Sequence, residues 1–189
     1  MLMKRIVGAF LFRKGVYAEV ERDTEFTSTA WILVAVVSFL SQIGKFAGHG
    51  FGGLGRWLIS AIVGTIFAVI GFAVGAWVIS WLGKALFKAQ VTFGEVVRTL
   101  GLAYVWNIVG LIGILAAISG ALACILLPIT IISALLGLIA WLIAAKEALD
   151  LDWGRTLVTV IVGWIVTFLI TLAATGVLAL VGIRIPATV

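Results

Sequence analysis

Apolar residues run almost without interruption over residues 27–44, 57–82, 99–145 and 156–181, and polar residues gather between those stretches. About 20 apolar residues cross a hydrocarbon core as a helix. The first, second and last stretches each predict one membrane span. The stretch 99–145 is too long for one span and breaks naturally at Ser119-Gly120, so it predicts two. The pattern is therefore an all-α, polytopic membrane bundle of five transmembrane helices. The second and fifth spans exceed the minimum length, which predicts tilt. The short alternating segments of a water-filled β-barrel are not what these long runs provide.

The residues before the first span follow a different rule. Met3, Ile6, Val7, Phe10 and Leu11 recur at helical spacing with basic residues around them. This predicts an amphipathic helix lying in the membrane interface. A cleavable signal is not expected, because the apolar run 6–12 is short and ends in Arg13-Lys14. The chain thus divides into a cytoplasmic, interfacial segment (1–26), a five-span domain (27–183) and an external tail (184–189). Between the second and third spans, Thr92-Phe93-Gly94-Glu95 has the form of a capping box. Leu86, Phe87, Val91 and Phe93 are available there to dip into lipid.

Composition agrees with lipid as the solvent. Hydrophobic residues make up 63% of the 189 and charged residues 11%, against about 25% charged in an average soluble domain. The net charge of +5 sits between apolar runs, which points to anionic lipid headgroups at the inner face and not to nucleic acid. Ten basic residues fall on the N-terminal side of the predicted bundle: Lys4, Arg5, Arg13, Lys14, Arg22, Lys84, Lys88, Arg98, Lys146 and Arg155. Three fall on the other: Lys45, Arg56 and Arg184. Basic residues are retained in the cytoplasm, so the N-terminus is predicted inside and the C-terminus outside. Trp31, Trp57, Trp81, Trp141 and Trp153 lie near predicted span ends, where an indole prefers the interface. Trp77, Trp106 and Trp164 lie deeper and are expected to pack.

Candidate chemistry is sparse. Gly50-Phe51-Gly52-Gly53-Leu54-Gly55 matches a dinucleotide fingerprint in letters only, since it joins two spans and no βαβ unit surrounds it. His49, the single histidine, stands in the same glycine-rich loop without a carboxylate or cysteine beside it. The single cysteine, Cys124, reads as a small core residue. No ionisable residue lies at mid-depth, which weighs against a proton-coupled transporter. Gln42, Thr65, Ser80, Asn107, Thr130, Ser133, Thr167 and Thr171 are the polar residues within spans, and helix–helix hydrogen bonding is their ordinary role. Gly71-x-x-x-Gly75 is a close-packing motif, expected within the bundle and otherwise suited to a dimer. Asp150 and Asp152 read as a salt-bridged turn, with Lys146 four residues before Asp150. No catalytic, cofactor-binding or metal site is expected, and the chain is not expected to be an enzyme.

Several segments together carry a family likeness. They are Val16-Tyr17-Ala18-Glu19-Val20-Glu21-Arg22-Asp23, then Val91-Thr92-Phe93-Gly94-Glu95-Val96-Val97-Arg98-Thr99-Leu100-Gly101-Leu102-Ala103-Tyr104, then Ala144-Ala145-Lys146-Glu147-Ala148-Leu149-Asp150-Leu151-Asp152, and Gly163-Trp164. In this order around five spans the chain resembles the Yip domain family, the Ypt/Rab-interacting membrane proteins, in its bacterial branch. The resemblance implies a five-span membrane protein with a cytoplasmic N-terminus. Eukaryotic members bind small GTPases in vesicle traffic and carry a longer N-terminal region, so that role is not carried over. The family commonly places a proline after the Ala-Tyr of the third span, where Val105-Trp106 stands here, and an Asp-Pro where Asp23-Thr24 stands.

All eight acidic residues fall on the predicted inner side. Acidic residues count little in setting topology, so another use is sought for them. Glu19, Glu21, Asp23, Glu95, Arg98, Glu147 and Asp150 are the candidate partner-docking surface. The expected function is that of a membrane-organising or partner-binding protein in the cytoplasmic membrane of a bacterium, with other membrane or cytoplasmic proteins as partners. One alternative is a passive or lipid-handling transporter, which a cavity lined by Thr65, Asn107, Thr130 or Thr167 would favour. Another is an accessory subunit of an energy-transducing complex, which co-purifying cofactor proteins would favour. Cysteines placed at Lys14 and Ala187 in a Cys124→Ala background should label from opposite sides of the membrane; labelling of both from one side would refute the five-span count.

Overall fold

The computed structural model describes residues 2–47 and 54–180. His49, most of the glycine-rich loop, the tail 184–189 and the side chains of Thr167 and Thr171 lie outside the described residues. Those described form helices and the turns between them. They are α1 (Leu2–Phe10), α2 (Val16–Arg22), α3 (Phe26–Ala47), α4 (Leu54–Phe87), α5 (Phe93–Ala103), a 3-10 segment (Tyr104–Ile112), α6 (Gly113–Ile118), α7 (Gly120–Leu149) and α8 (Trp153–Leu180). Four stretches are long and apolar enough to cross a membrane: Phe26–Lys45, Trp57–Phe87, Phe93–Ile118 and Ala121–Leu149. α8 follows as a further helix of 28 residues.

The break expected in the long apolar block is where the structure has it. Ser119 leaves helical geometry, and its hydroxyl accepts from the Ala121 amide at 3.2 Å, starting α7. The capping box is formed as well. Thr92 Oγ1 accepts from the Glu95 amide at 3.2 Å, and Glu95 Oε2 accepts from the Thr92 amide at 2.6 Å. This start places the third crossing from Phe93, earlier than the apolar pattern alone suggests, because Glu95 and Arg98 are engaged within the fold. Beyond Ala103 that crossing tightens into nine residues of 3-10 helix, long for a geometry that usually runs three or four residues. Asn107 Nδ2 donates to the Tyr104 carbonyl at 3.2 Å, competing with the regular α-helical ladder.

Packing is that of a protein dissolved in lipid. Large apolar side chains face outward: Ile59, Ile62, Val63, Ile66, Phe67 and Ile70 form a helical stripe on α4, and Ile125, Ile132, Leu135 and Ile139 lie exposed on α7. The interior contacts use small residues, among them Ala30, Ala76, Ala103, Ala140, Ala144, Ala145 and Ala148. Lipid tails are as apolar as leucine, so helices associate by close backbone approach and hydrogen bonds. α5 is the central post, with residues 96–103 all buried. Between helices, Gln42 Nε2 donates to the Gly64 carbonyl at 3.3 Å and Ser38 Oγ to Tyr104 Oη at 3.2 Å. Thr65 and Thr130 bond carbonyls of their own helices instead.

Several expectations are corrected. Cys124 is exposed on α7 and not in the core, since that part of α7 faces outward. Trp77 is likewise exposed, stacked on Trp81 at 6.4 Å between ring centroids. Val91 is buried in the core, whereas Leu86 and Phe93 are exposed. A Cβ built on Gly71 or Gly75 meets nothing within 4 Å among the described residues, so that motif does not bring two described helices together. The close approaches lie at other glycines. A Cβ on Gly113 would fall 2.7 Å from the Gly44 carbonyl oxygen, and one on Gly101 2.9 Å from the Ala30 Cβ.

Alanine at these positions should therefore act in opposite directions. Gly113→Ala pushes backbone against backbone and should destabilise by about 1–3 kcal/mol. Gly71→Ala adds a methyl in open space within a helix and should be neutral or stabilise by up to about 1 kcal/mol. Thermal unfolding of the two variants in one detergent checks this, and equal shifts would contradict the packing described.

Candidate functional site

The face of the bundle on which α1 and α2 lie carries most of the charge, and the fold sorts it into pairs, a buried hub and a patch. α1 and α2 fold beneath the spans, with Ala9, Val16, Tyr17 and Val20 buried in the common core. Ile6 and Phe10 pack against that core, while Met3, Val7 and Leu11 point outward on the other face of α1. The turn between the helices uses Phe12 at φ 51° and Gly15 at φ 79°. Phe10 and Phe12 both meet Trp106 of the third crossing, at 4.9 and 5.7 Å between ring centroids.

Three of the seven predicted docking residues are used inside the fold. Glu19 is held by Arg5 Nε at 3.1 Å and by Arg13 Nη2 at 2.6 Å. Asp23 is held by Arg5 Nη1 at 2.7 Å. Hydrogen bonding from Arg5 keeps both carboxyls below their ordinary pKa. Arg98 is 6% exposed. Its Nε donates to the Glu21 carbonyl at 2.9 Å, its Nη2 donates to the same oxygen, and its Nη1 donates to Thr27 Oγ1 at 3.2 Å. This places Arg98 as a tie between α2, α3 and α5.

The other four come together. Glu21 of α2, Glu95 of α5, and Glu147 and Asp150 at the end of α7 are near enough to interact. Burial first, then the charges of Asp150, Glu95 and Glu147, raise the Glu21 pKa above its ordinary value. Asp150 ends α7 in the left-handed conformation, with its amide donating to the Glu147 carbonyl at 3.2 Å. The expected Lys146–Asp150 pair is absent among the described residues, because Lys146 lies over the Trp153 ring at 5.7 Å. The salt bridge of that turn joins Arg155 Nε to Asp152 Oδ2 at 3.1 Å. Among the described residues, no group of three or more His, Cys, Asp or Glu side chains could hold a metal ion.

A cavity of about 560 Å³ opens between α3, the 3-10 segment and α7, lined among others by Ser41, Lys45, Asn107, Thr130, Ser133 and Trp141. Asn107 and Thr130 are thus brought to one cavity, and Thr65 is not among its lining residues. Arg5, Arg13 and Tyr17 are residues that sequence reasoning left without a structural role. The mixture of five basic and four acidic residues within the first 25 positions was the available signal for internal pairing.

The acidic patch has a sign that can be tested. The folded chain holds a proton on Glu21 more readily than the unfolded chain, so this stabilising contribution is present in acid and lost as pH rises through the folded-state pKa. Glu21→Gln should therefore raise the unfolding midpoint at neutral pH and change nothing well below 4.5, the ordinary value. A stabilisation equal at both extremes, read from unfolding curves across pH, would remove the electrostatic explanation.

The comparisons with known proteins bear on the whole chain. No curated protein and no solved structure matches it. The family model of the Yip1 domain matches residues 8–175, which takes in every segment from Val16 to Trp164 that carried the likeness. On that coverage the chain belongs to the Yip1 domain family, and it is an integral membrane protein of apolar helices.

Proposed function

We propose that this protein is a non-enzymatic organiser or partner-binding subunit of the bacterial cytoplasmic membrane. In this reading five spans put the N-terminus inside, and a basic partner segment docks on the acidic patch of the inner face. The observation that carries it is the placement of Glu21, Glu95, Glu147 and Asp150 from three helices on one face, where burial first and then the neighbouring charges raise the Glu21 pKa. Like charges held together disfavour folding unless something of opposite sign covers them, and complementary charge sets the choice and register of a partner. Glu19 and Asp23 contribute to the shape of this face through Arg5, and Arg98 through the Glu21 carbonyl.

The triple change Glu21→Gln, Glu147→Gln and Asp150→Asn should leave insertion intact and release any partner that co-purifies in mild detergent. Wild-type protein should lose the same partner as salt is raised, since exposed charge is screened. A partner retained by the variant at every salt concentration would place the contact on the spans instead.

The cavity supports a second reading, passive or lipid-handling transport. It presents an amide and hydroxyls beside indoles, with Lys45 as a charged lining residue. Its volume lies within the range of small-molecule sites, about 300–1,000 Å³. Vesicles containing the pure protein that move neither small neutral solutes nor labelled lipid faster than empty vesicles would exclude this reading.

A further inference from the structure

The turn between α1 and α2 encloses a second, smaller pocket of about 120 Å³ against the end of α7. Arg13, Lys14 and Tyr17 line one part of it, Glu147 another, and Phe12 and Ile143 supply apolar wall. Tyr17 is 3% exposed, and its hydroxyl has no hydrogen-bond partner among the described residues. Arg13 Nε is buried and unpartnered too, although its Nη2 is spent on Glu19. Buried donors are rarely left unmatched, and those that are point to a missing water, ion or ligand. Here two of them belong to residues of one small pocket, with an ammonium group on the next residue.

We propose that this pocket binds the headgroup of a phospholipid that carries both a phosphate and a primary amine, such as an ethanolamine phospholipid. The phosphate lies against Arg13, Lys14 and Tyr17, and the amine faces Glu147. A phosphate alone would meet the Glu147 carboxylate unfavourably; a headgroup of both signs uses it. The volume suits a phosphate joined to a short amine arm and leaves the acyl chains outside. Leu11, next to Phe12, is 74% exposed, and Val7 one turn before it is exposed as well, which offers apolar contact to those chains. The Tyr17 hydroxyl keeps its proton, since burial raises its pKa, and so remains a donor. This site shares Glu147 with the partner reading but does not rest on it: it needs no second protein, and its readout is lipid.

The test uses the full-length protein, stripped of lipid in a neutral detergent, and native mass spectrometry with lipids of identical acyl chains. Phosphatidylethanolamine should be retained at one per chain in preference to phosphatidylglycerol, which lacks the amine, and phosphatidylcholine, whose methylated amine cannot donate. Tyr17→Phe removes a single donor and should weaken retention about tenfold. Glu147→Gln should weaken phosphatidylethanolamine by a similar factor and leave phosphatidylglycerol unchanged or tighter. Because Glu147 is only half-buried, this second variant keeps the test sound if Tyr17→Phe disturbs folding. Free phosphoethanolamine that displaces the lipid at equal concentration would show a soluble headgroup compound as the ligand, with the same side chains in the same roles. Equal retention of the three lipids, or phosphatidylethanolamine binding unmoved in both variants, would overturn the proposal and leave the pocket to water.

Discussion

The Arg98 guanidinium is the tie on which the N-terminal face of this molecule depends. It is buried at the start of the third crossing and gives two of its N–H groups to the backbone carbonyl of Glu21 and another to Thr27. A fork of fixed geometry is needed to reach a carbonyl and a hydroxyl on different helices, which an arginine has and a lysine lacks. The contacts of Arg98 hold the end of α2 against α3 and α5. They also set Glu21 beside Glu95, and the end of α7 completes the group. Arg98 donates to a backbone carbonyl and a hydroxyl, so the carboxylates of the acidic patch are left without it.

The same face shows how charges of both signs are partitioned. Arg5 and Arg13 take Glu19 and Asp23, and Arg5 also covers the Phe26 ring at 5.1 Å. Exposed ion pairs contribute little stability one at a time, so their effect is chiefly to fix where α1 lies. With α1 fixed, Phe10 and Phe12 close on Trp106, and the turn between them and α2 is held in a conformation that opens the small pocket. The proposed partner surface and the proposed headgroup site therefore share a scaffold and meet at Glu147.

Within the spans the governing constraint is lipid. Large apolar side chains cover the outside, and alanine and glycine stand beside Phe72, Ile79, Leu100 and Leu149 within, where helices approach closely. Gly44, Gly110 and Gly113 bring α3 against the 3-10 segment and the start of α6 until backbone meets backbone. The slimmer 3-10 geometry and this contact occur together, in the part of the third crossing where Asn107 turns back on Tyr104 and the larger cavity opens. The family's usual proline after Tyr104 is missing, yet the chain leaves α-helical geometry at this very residue.

The sequence by itself determined the membrane class, the helical content, the break at Ser119, the capping box at Thr92 and the family. Each of these is local, because a run of apolar residues, an N-cap hydroxyl or a motif acts over a few neighbours. Tertiary structure decided the rest. Arg98 stands among residues that, by composition, belong to a solvated connection, and only the arrival of α2 from 77 positions away makes it buried. Gly71 and Gly75 have a packing spacing, but which face of a uniformly apolar helix turns inward is not written in that helix; the tertiary core, which takes in Phe72, Ala76 and Ile79 instead, settles it. Cys124 and Trp77 faced outward for the same reason. The seven charged residues singled out as a surface were alike in sequence, and they separated into pairs, hub and patch once distance and desolvation acted on them.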